Sequence, residues 1–438
     1  MASMNVVRRA IAAALCIAAI TACARNDEAA TKGPYAKQVA EDIPVLEHGT
    51  GLKFKRPPVL ETRTKAQVRQ FLEAQFNTEN SNQEIAAKQI VYSRLGLIPD
   101  TLDLRKLFVN LLTEQVAGFY DPHTKVLYVV DSSPPDIVGF TIQHELVHAL
   151  QDQYMNLDSI LHVSRQNDRS QAAKAVIEGQ AMLVPIQATL GPGAGLPGGW
   201  DRVRDMIRDT RMQGMATLRA APEIVQETLI FPYLSGAEFV RQFQLHEPGK
   251  QPYGENMPAS TSEILHTGSF FSPERRAPLA IAFAKPSGGT VTYDDNFGEF
   301  ETRILLLQFL QQQNASIQTA AGWAGDRYEV IKFPPGDGVA WLTLWNTTFQ
   351  SGEFGSDLEA IVARRFNNPA SKDTPLGKVY DLPNRRTVTI WGGTLAGHAA
   401  VLYTDLPTGI SASAVRADKA HITACPATGA CPAADSTH

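Results

Sequence analysis

Cysteine is scarce, with four residues in a chain of 438. Cys16 falls inside an N-terminal apolar stretch and Cys23 just after it, which leaves Cys425 and Cys431 in a Pro/Ala/Thr/Gly tail. In an oxidising compartment an even pair so close together is expected to close a small disulfide loop, and two cysteines alone do not make a metal site. Charge is sparse as well: 19% of residues are charged, the net charge is −5, and neither sign forms a long run. Nucleic-acid binding therefore has no electrostatic support. The N-terminal apolar run, residues 11–22, is too short to span a bilayer as a stable helix. What remains is an ordered protein, 44% hydrophobic, with enough apolar residues for a sizeable core and for two domains. Glycine and proline together (32 and 27) imply long loops.

The short apolar run has the form of an export signal. Arg8 and Arg9 precede it, and it ends in Ile20-Thr-Ala-Cys23, which resembles the lipobox of bacterial lipoproteins. On that reading Cys23 becomes the lipidated first residue of a mature protein tethered to a membrane in the cell envelope. Ala22-Cys-Ala24 also fits an A-x-A cleavage site and a soluble secreted product. The lipoprotein reading is preferred because cysteine is an unusual choice there, and Sec export is preferred because the arginine pair lacks twin-arginine flanks. Residues 25–63 are polar, carry Pro34, Pro44, Pro57 and Pro58, and hold no sustained period, so they read as a tether.

Residues 137–152 carry the chemistry: IVGFTIQHELVHALQD contains His144, Glu145 and His148. On a helix, positions i and i+4 share a face, so both imidazoles can reach one ion while Glu145 is turned to hold a bound water. Ile137, Val138, Phe140, Ile142, Leu146, Val147, Ala149 and Leu150 make the helix apolar almost all round, hence buried. Two imidazoles and a carboxylate in such a setting are costly unless paired or bound to metal. Catalytic zinc takes three protein ligands and leaves one position open. A second apolar helix, residues 172–184, carries one acid, Glu178, thirty residues after His148 (178 − 148). That spacing lets the first helix end and a second return. No third histidine follows at the metzincin spacing, so a His, His, Glu set is favoured.

These residues resemble the gluzincin metallopeptidases, and more closely a poorly characterised prokaryotic group within them. The matching segments are HELVHALQDQ (144–153), EGQA (178–181), PYLSGAEFV (232–240), STSEILH (260–266) and GWAGDRY (322–328). The resemblance spans roughly residues 100 to 345 and implies Zn²⁺ on His144, His148 and Glu178, with Glu145 as general base. Such sequences often read Glu-Gly-Asp-Ala where this chain has Gln180, so Gln180 or Asp152 is expected to orient a ligand histidine. In gluzincins a His or Tyr beyond the third ligand usually steadies the oxyanion. By chain order His266 is the first choice and Tyr233 the second.

Elsewhere, apolar spacing predicts helices over 66–76, 82–95 and 102–114. Residues 116–130 read as a hairpin turning at Asp121-Pro-His-Thr, with His123 solvent-facing. In zincins an edge strand above the metal helix pairs with extended substrate, and this hairpin is the candidate. A Gly-rich loop (190–199) and helices over 200–218 and 223–244 follow. Ser260 and Glu263 suggest a capping box. The run 254–258 resembles an aminopeptidase motif only with its letters out of order and on the wrong side of the metal helix. Helices over 297–312 and 357–366 and strands over 328–333, 339–345, 379–390 and 399–406 predict a mixed region at the C-terminus. Within it Asp326 and Arg327 read as a structural charge pair.

The expected fold class is α+β: a mainly helical zincin-like core with a small sheet, plus a C-terminal mixed α/β region. The expected division is a signal peptide (1–22), a lipidated N-terminus and tether (23–65), a catalytic domain (66–275), an α/β region (276–420) and a tail (421–438). The leading functional expectation is an exported, membrane-tethered zinc metallopeptidase acting on protein or peptide substrates, an endopeptidase since no exopeptidase motif precedes the helix. The alternatives are a zincin-fold cell-envelope lipoprotein acting as scaffold or chaperone, and a hydrolase of a non-peptide amide.

Overall fold

The computed structural model describes residues 34–161, 163–191, 202, 205 and 216–426. The signal and lipidation readings at residues 1–23, most of the 190–199 loop and of the 200–218 helix, and Cys431 lie outside these residues. Cys425 is disulfide-bonded. The protein is α+β, and its contacts divide it into two units that cut across the boundaries drawn from sequence at 65 and 275.

The described part of the first unit comprises residues 34–68, Val116–Asp158 and 181–191. It contains a helix at Ala36–Thr50, strands β1 (Val59–Arg63), β2 (Gly118–Asp121) and β3 (Val126–Val130), and the motif helix Pro135–Gln151. Residues 36–63 are thus folded and are not a tether. Val39, Asp42, Leu46 and Thr50 line one buried face of the first helix, a stripe at helical spacing. Pro44 sits inside it and breaks the pattern a sequence reader looks for. The helix ends where Gly51 turns left-handed (φ 71°) and donates its N–H to the Glu47 carbonyl. Its apolar face packs with Leu127 and Val129 of β3, with Val138, Ile142, Leu146 and Val147 of the motif helix, and with Ala181 and Val184. Each such Val, Leu or Ile side chain contributes about 1.5–3 kcal/mol on burial.

The small sheet runs β1-β3-β2, with β1 parallel to β3 and β2 antiparallel to it. The expected hairpin is present. Its loop is held by the Asp121 carboxylate, which accepts from His123 N and Thr124 Oγ1 at 2.9 Å each, and Lys125 takes a left-handed φ of 59°. A Cβ on Gly118 would lie 2.7 Å from Thr141 Cγ2, so only glycine lets β2 sit this close to the motif helix.

The described part of the second unit comprises Arg69–Gln115, Ser159–Gln180 and residues 216–426. Helices Lys65–Phe76, Glu79–Leu95 and Leu104–Gln115 lie close to their expected positions. Helix Asn167–Leu190 begins in this unit and crosses helix Glu223–His246 where glycines meet: a Cβ on Gly236 would land on the Ala175 carbonyl, and one on Gly179 on the backbone of Gly236.

Seven antiparallel strands form the main sheet, in the order β5-β6-β7-β11-β10-β9-β8. They are β5 (Thr290–Asp295), β6 (Trp323–Phe333), β7 (Gly336–Trp345), β8 (Ser371–Thr374), β9 (Gly377–Leu382), β10 (Arg386–Leu395) and β11 (His398–Pro407). The single strand expected over 379–390 is two, β9 and β10, parted by a turn in which Arg385 is left-handed (φ 60°). β7 is buried along nearly its whole length, as expected of a strand covered on both faces. Trp341 packs edge-on against Phe297, which caps helix Gly298–Leu310, and against Phe354 of helix Thr348–Arg365, while Leu342 and Leu344 pack beneath a two-stranded ribbon of β4 (Leu279–Ala282) and β12 (His421–Ala424).

Asp326 does not pair with Arg327. It accepts from the backbone N–H groups of Phe297 (2.8 Å) and Gly298 (2.9 Å) and from the indoles of Trp323 and Trp341, which fixes the start of the helix at Gly298. Arg327 instead bonds Asp294 and the Arg165 carbonyl. Glu263 reaches back to Ala259 N (2.6 Å) and holds Arg275, and Ser260 makes no side-chain cap, so the capping box does not form.

Candidate metal centre

Pro135 at the first position pre-sets the helical φ of the motif helix. Three turns on, the imidazoles of His144 and His148 lie one above the other, both buried, with their Nε2 atoms 3.1 Å apart. Two nitrogens on a tetrahedral zinc at ~2.0–2.1 Å would be about 3.3 Å apart. Glu178, half-buried on helix Asn167–Leu190, completes the group, and the three ligand atoms lie within 4.8 Å of one another. Among the described residues this is the one cluster of its kind.

The orientation of the His148 ring agrees with a metal role. Gln151 is fully buried one turn beyond His148, and its Oε1 is 2.9 Å from His148 Nδ1. An amide oxygen only accepts, so Nδ1 carries the proton and the Nε2 lone pair faces His144 and Glu178. The residue orienting His148 is therefore Gln151, which the sequence reading did not single out. Gln180 donates to Gln251 Oε1 at 3.0 Å.

Asp152 has another task. Its Oδ2 accepts from the Tyr120 phenol and from Lys125 Nζ, each at 2.7 Å, and its Oδ1 accepts from Leu157 N at 3.2 Å. Burial, with Asp152 second, pushes the Tyr120 phenol far above the usual range. The same tyrosine touches the motif from its backbone: Tyr120 N–H donates to Glu145 Oε2 at 2.8 Å.

The helix is less uniformly buried than its composition implies. Ile137 and Phe140 are 39% and 38% exposed, and the Phe140 ring centroid lies 6.5 Å from that of His144. His123 is exposed beside Asp158, as expected of a turn residue.

Of the two oxyanion candidates, His266 is not among the three clustered ligand residues and has a partner of its own. His266 Nε2 is 2.7 Å from Glu299 Oε1, and that bond raises the imidazole above its ordinary range against the opposing effect of burial. Glu299 is fully buried, with Oε2 unpartnered among the described residues. Tyr233 is half-buried on helix Glu223–His246, one turn before the Gly236 crossing with the Glu178 helix.

A family model described as a domain of unknown function (DUF8575) matches residues 289–398, a stretch of the large sheet that contains none of His144, Glu145, His148 or Glu178. No curated protein and no solved structure matches the chain.

Proposed function

We propose that this protein is a zinc-dependent metallopeptidase with a gluzincin-like core, exported and tethered to a membrane through Cys23. The observation that carries the reading is the convergence of His144, His148 and Glu178, with Glu145 adjacent on the same helix. Zinc in such a site supplies a water acidified toward pH ~7 and a Lewis acid for the scissile carbonyl. Glu145 takes the proton of the attacking water and passes it to the leaving amine. The outer edge of β2, beside Glu145, offers main-chain groups to an extended substrate. His266 is the first choice to steady the oxyanion: Glu299 holds its Nε2, and in the protonated ring Nδ1–H is a donor. Tyr233 is the second. The membrane attachment rests on the sequence around Cys23, and among the described residues no helix is long and apolar enough to cross a membrane.

The test sets wild type beside Glu145→Gln. The amide is nearly isosteric and is not asked to ligate, so zinc content and melting temperature should match wild type. Turnover of a peptide library should fall by ~10²–10⁴. A zinc-loaded wild type that cleaves nothing, or a null strain fully rescued by Glu145→Gln, would sink the peptidase reading and favour a scaffold.

A further inference from the structure

Glu145 is held from outside its own helix. Strand β2 is an edge of the small sheet, paired on one side only with β3. Val130 N–H donates to the Ala117 carbonyl, and with the register Phe119↔Tyr128 this directs the N–H and C=O of Phe119 and Asp121 toward β3. The N–H and C=O of Gly118 and Tyr120 therefore point outward. One of these outward donors, Tyr120 N–H, is engaged by Glu145 Oε2 at 2.8 Å.

The position of that N–H is itself over-determined. The Tyr120 phenol is fixed to Asp152 at the end of the motif helix, and Lys125 from the hairpin loop bonds the same carboxylate oxygen. Gly118 sits against Thr141 on the same helix with no space for a side chain. The strand is thus stapled to the motif helix above and below the point where it meets Glu145.

We infer that Tyr120 is a positioning residue for the general base: its backbone N–H anchors one carboxylate oxygen of Glu145 and leaves the other to receive the proton of the attacking water. This rests on the peptidase reading for its catalytic consequence, but not for the bond itself. A carboxylate on a flexible side chain samples several rotamers, and a bond to a rigid main-chain donor removes that freedom before substrate arrives. Tyr120 N–H is then unavailable to substrate, so an extended peptide on this edge pairs with Tyr120 C=O and with Gly118.

The experiment replaces one atom. A main-chain ester at residue 120, introduced as the α-hydroxy analogue of tyrosine in the full chain, keeps the phenol and deletes the N–H. Tyr120→Phe, which keeps the N–H and loses the phenol, is the comparison. With zinc content equal to wild type, the ester should lower kcat ~10²-fold at unchanged KM, and Tyr120→Phe should lower it less. An ester with wild-type kcat, or one whose loss lies in KM, overturns the inference. A second measurement needs no turnover. In protein labelled with ¹⁵N-tyrosine, the Tyr120 amide, identified by its loss in Tyr120→Phe, should move upfield and exchange its proton faster in Glu145→Ala. An amide that does neither overturns the inference even if the ester misfolds. If the zinc-loaded wild type shows no turnover but the amide responds, the anchor stands and the peptidase reading falls.

Discussion

Gln151 Oε1 lies 2.9 Å from Nδ1 of His148, one helical turn away in a fully buried position. The contact fixes which nitrogen of the ring is free to ligate. A neutral amide does so where a carboxylate is commoner in metal sites.

Removing that acceptor should weaken the site and leave the helix intact. Gln151→Ala should lower zinc affinity 10–100-fold, roughly the cost of losing an outer partner of a ligand histidine. Competition against a chelator measures it, with circular dichroism as the control for folding. Unchanged affinity would mean that the His148 ring is oriented by packing alone.

Glu178 bears on the ligand set itself. Glu178→Ala should reduce bound zinc from one equivalent to near none at stoichiometric protein, because two imidazoles alone do not make a closed zinc site. The helix should persist, since Ala173, Ala175, Val176 and Ile177 remain buried around it. Full zinc occupancy in the variant would place the third ligand elsewhere.

The grouping of His144, His148 and Glu178 was legible in the sequence because chemistry and periodicity coincide there. Two histidines at helical spacing and one acid in an otherwise apolar helix are costly patterns without a metal. Gln151 was not legible, since a glutamine one turn past a histidine carries no signature. Tyr120 was invisible for a different reason: its contribution is a backbone N–H, which every residue but proline has. The helix Ala36–Thr50 was hidden by Pro44 and the short length of its stripe. Glu299 was missed because it meets His266 across 33 residues of chain and belongs to no local pattern.

Two glycines test opposite consequences of adding one methyl group. Gly236→Ala would place a Cβ on the Ala175 carbonyl, a backbone atom that cannot rotate away. The helices must part, at a cost of about 1–3 kcal/mol, read as a fall of several degrees in Tm. Gly352, exposed in helix Thr348–Arg365, has nothing within 4 Å of an added Cβ. Gly352→Ala should stabilise by about 0.4–1 kcal/mol, because alanine loses less backbone freedom on folding. Equal effects of the two would mean that the crossing at Gly236 is looser than the structure has it.

The last prediction concerns pH and a buried network away from the metal. Glu301 accepts from Asn167 Nδ2 at 2.9 Å and Tyr92 OH at 3.1 Å, and Asn167 in turn accepts from Lys88 at 3.0 Å. Burial pushes the Glu301 carboxyl up to about 7 from 4.5, against the opposing pull of Lys88, and nearby Asp295 adds to the rise. An acid whose folded pKa lies above its unfolded value holds its proton more tightly in the native state. Its contribution is therefore fully present below pH ~4.5, declines as pH rises toward ~7, and is lost above that. The shift corresponds to a contribution on the order of 3 kcal/mol. Glu301→Gln removes the titration and keeps an oxygen for Asn167. Relative to wild type, the variant should gain stability steadily from pH 4.5 to 7.5 and be the more stable protein at pH 8. Urea unfolding at fixed temperature across that range measures the difference. The subtraction cancels the separate decline from His266, whose raised pKa also favours the native state at low pH. A difference that does not change with pH would mean that Glu301 is ionised throughout and that Lys88 compensates it fully.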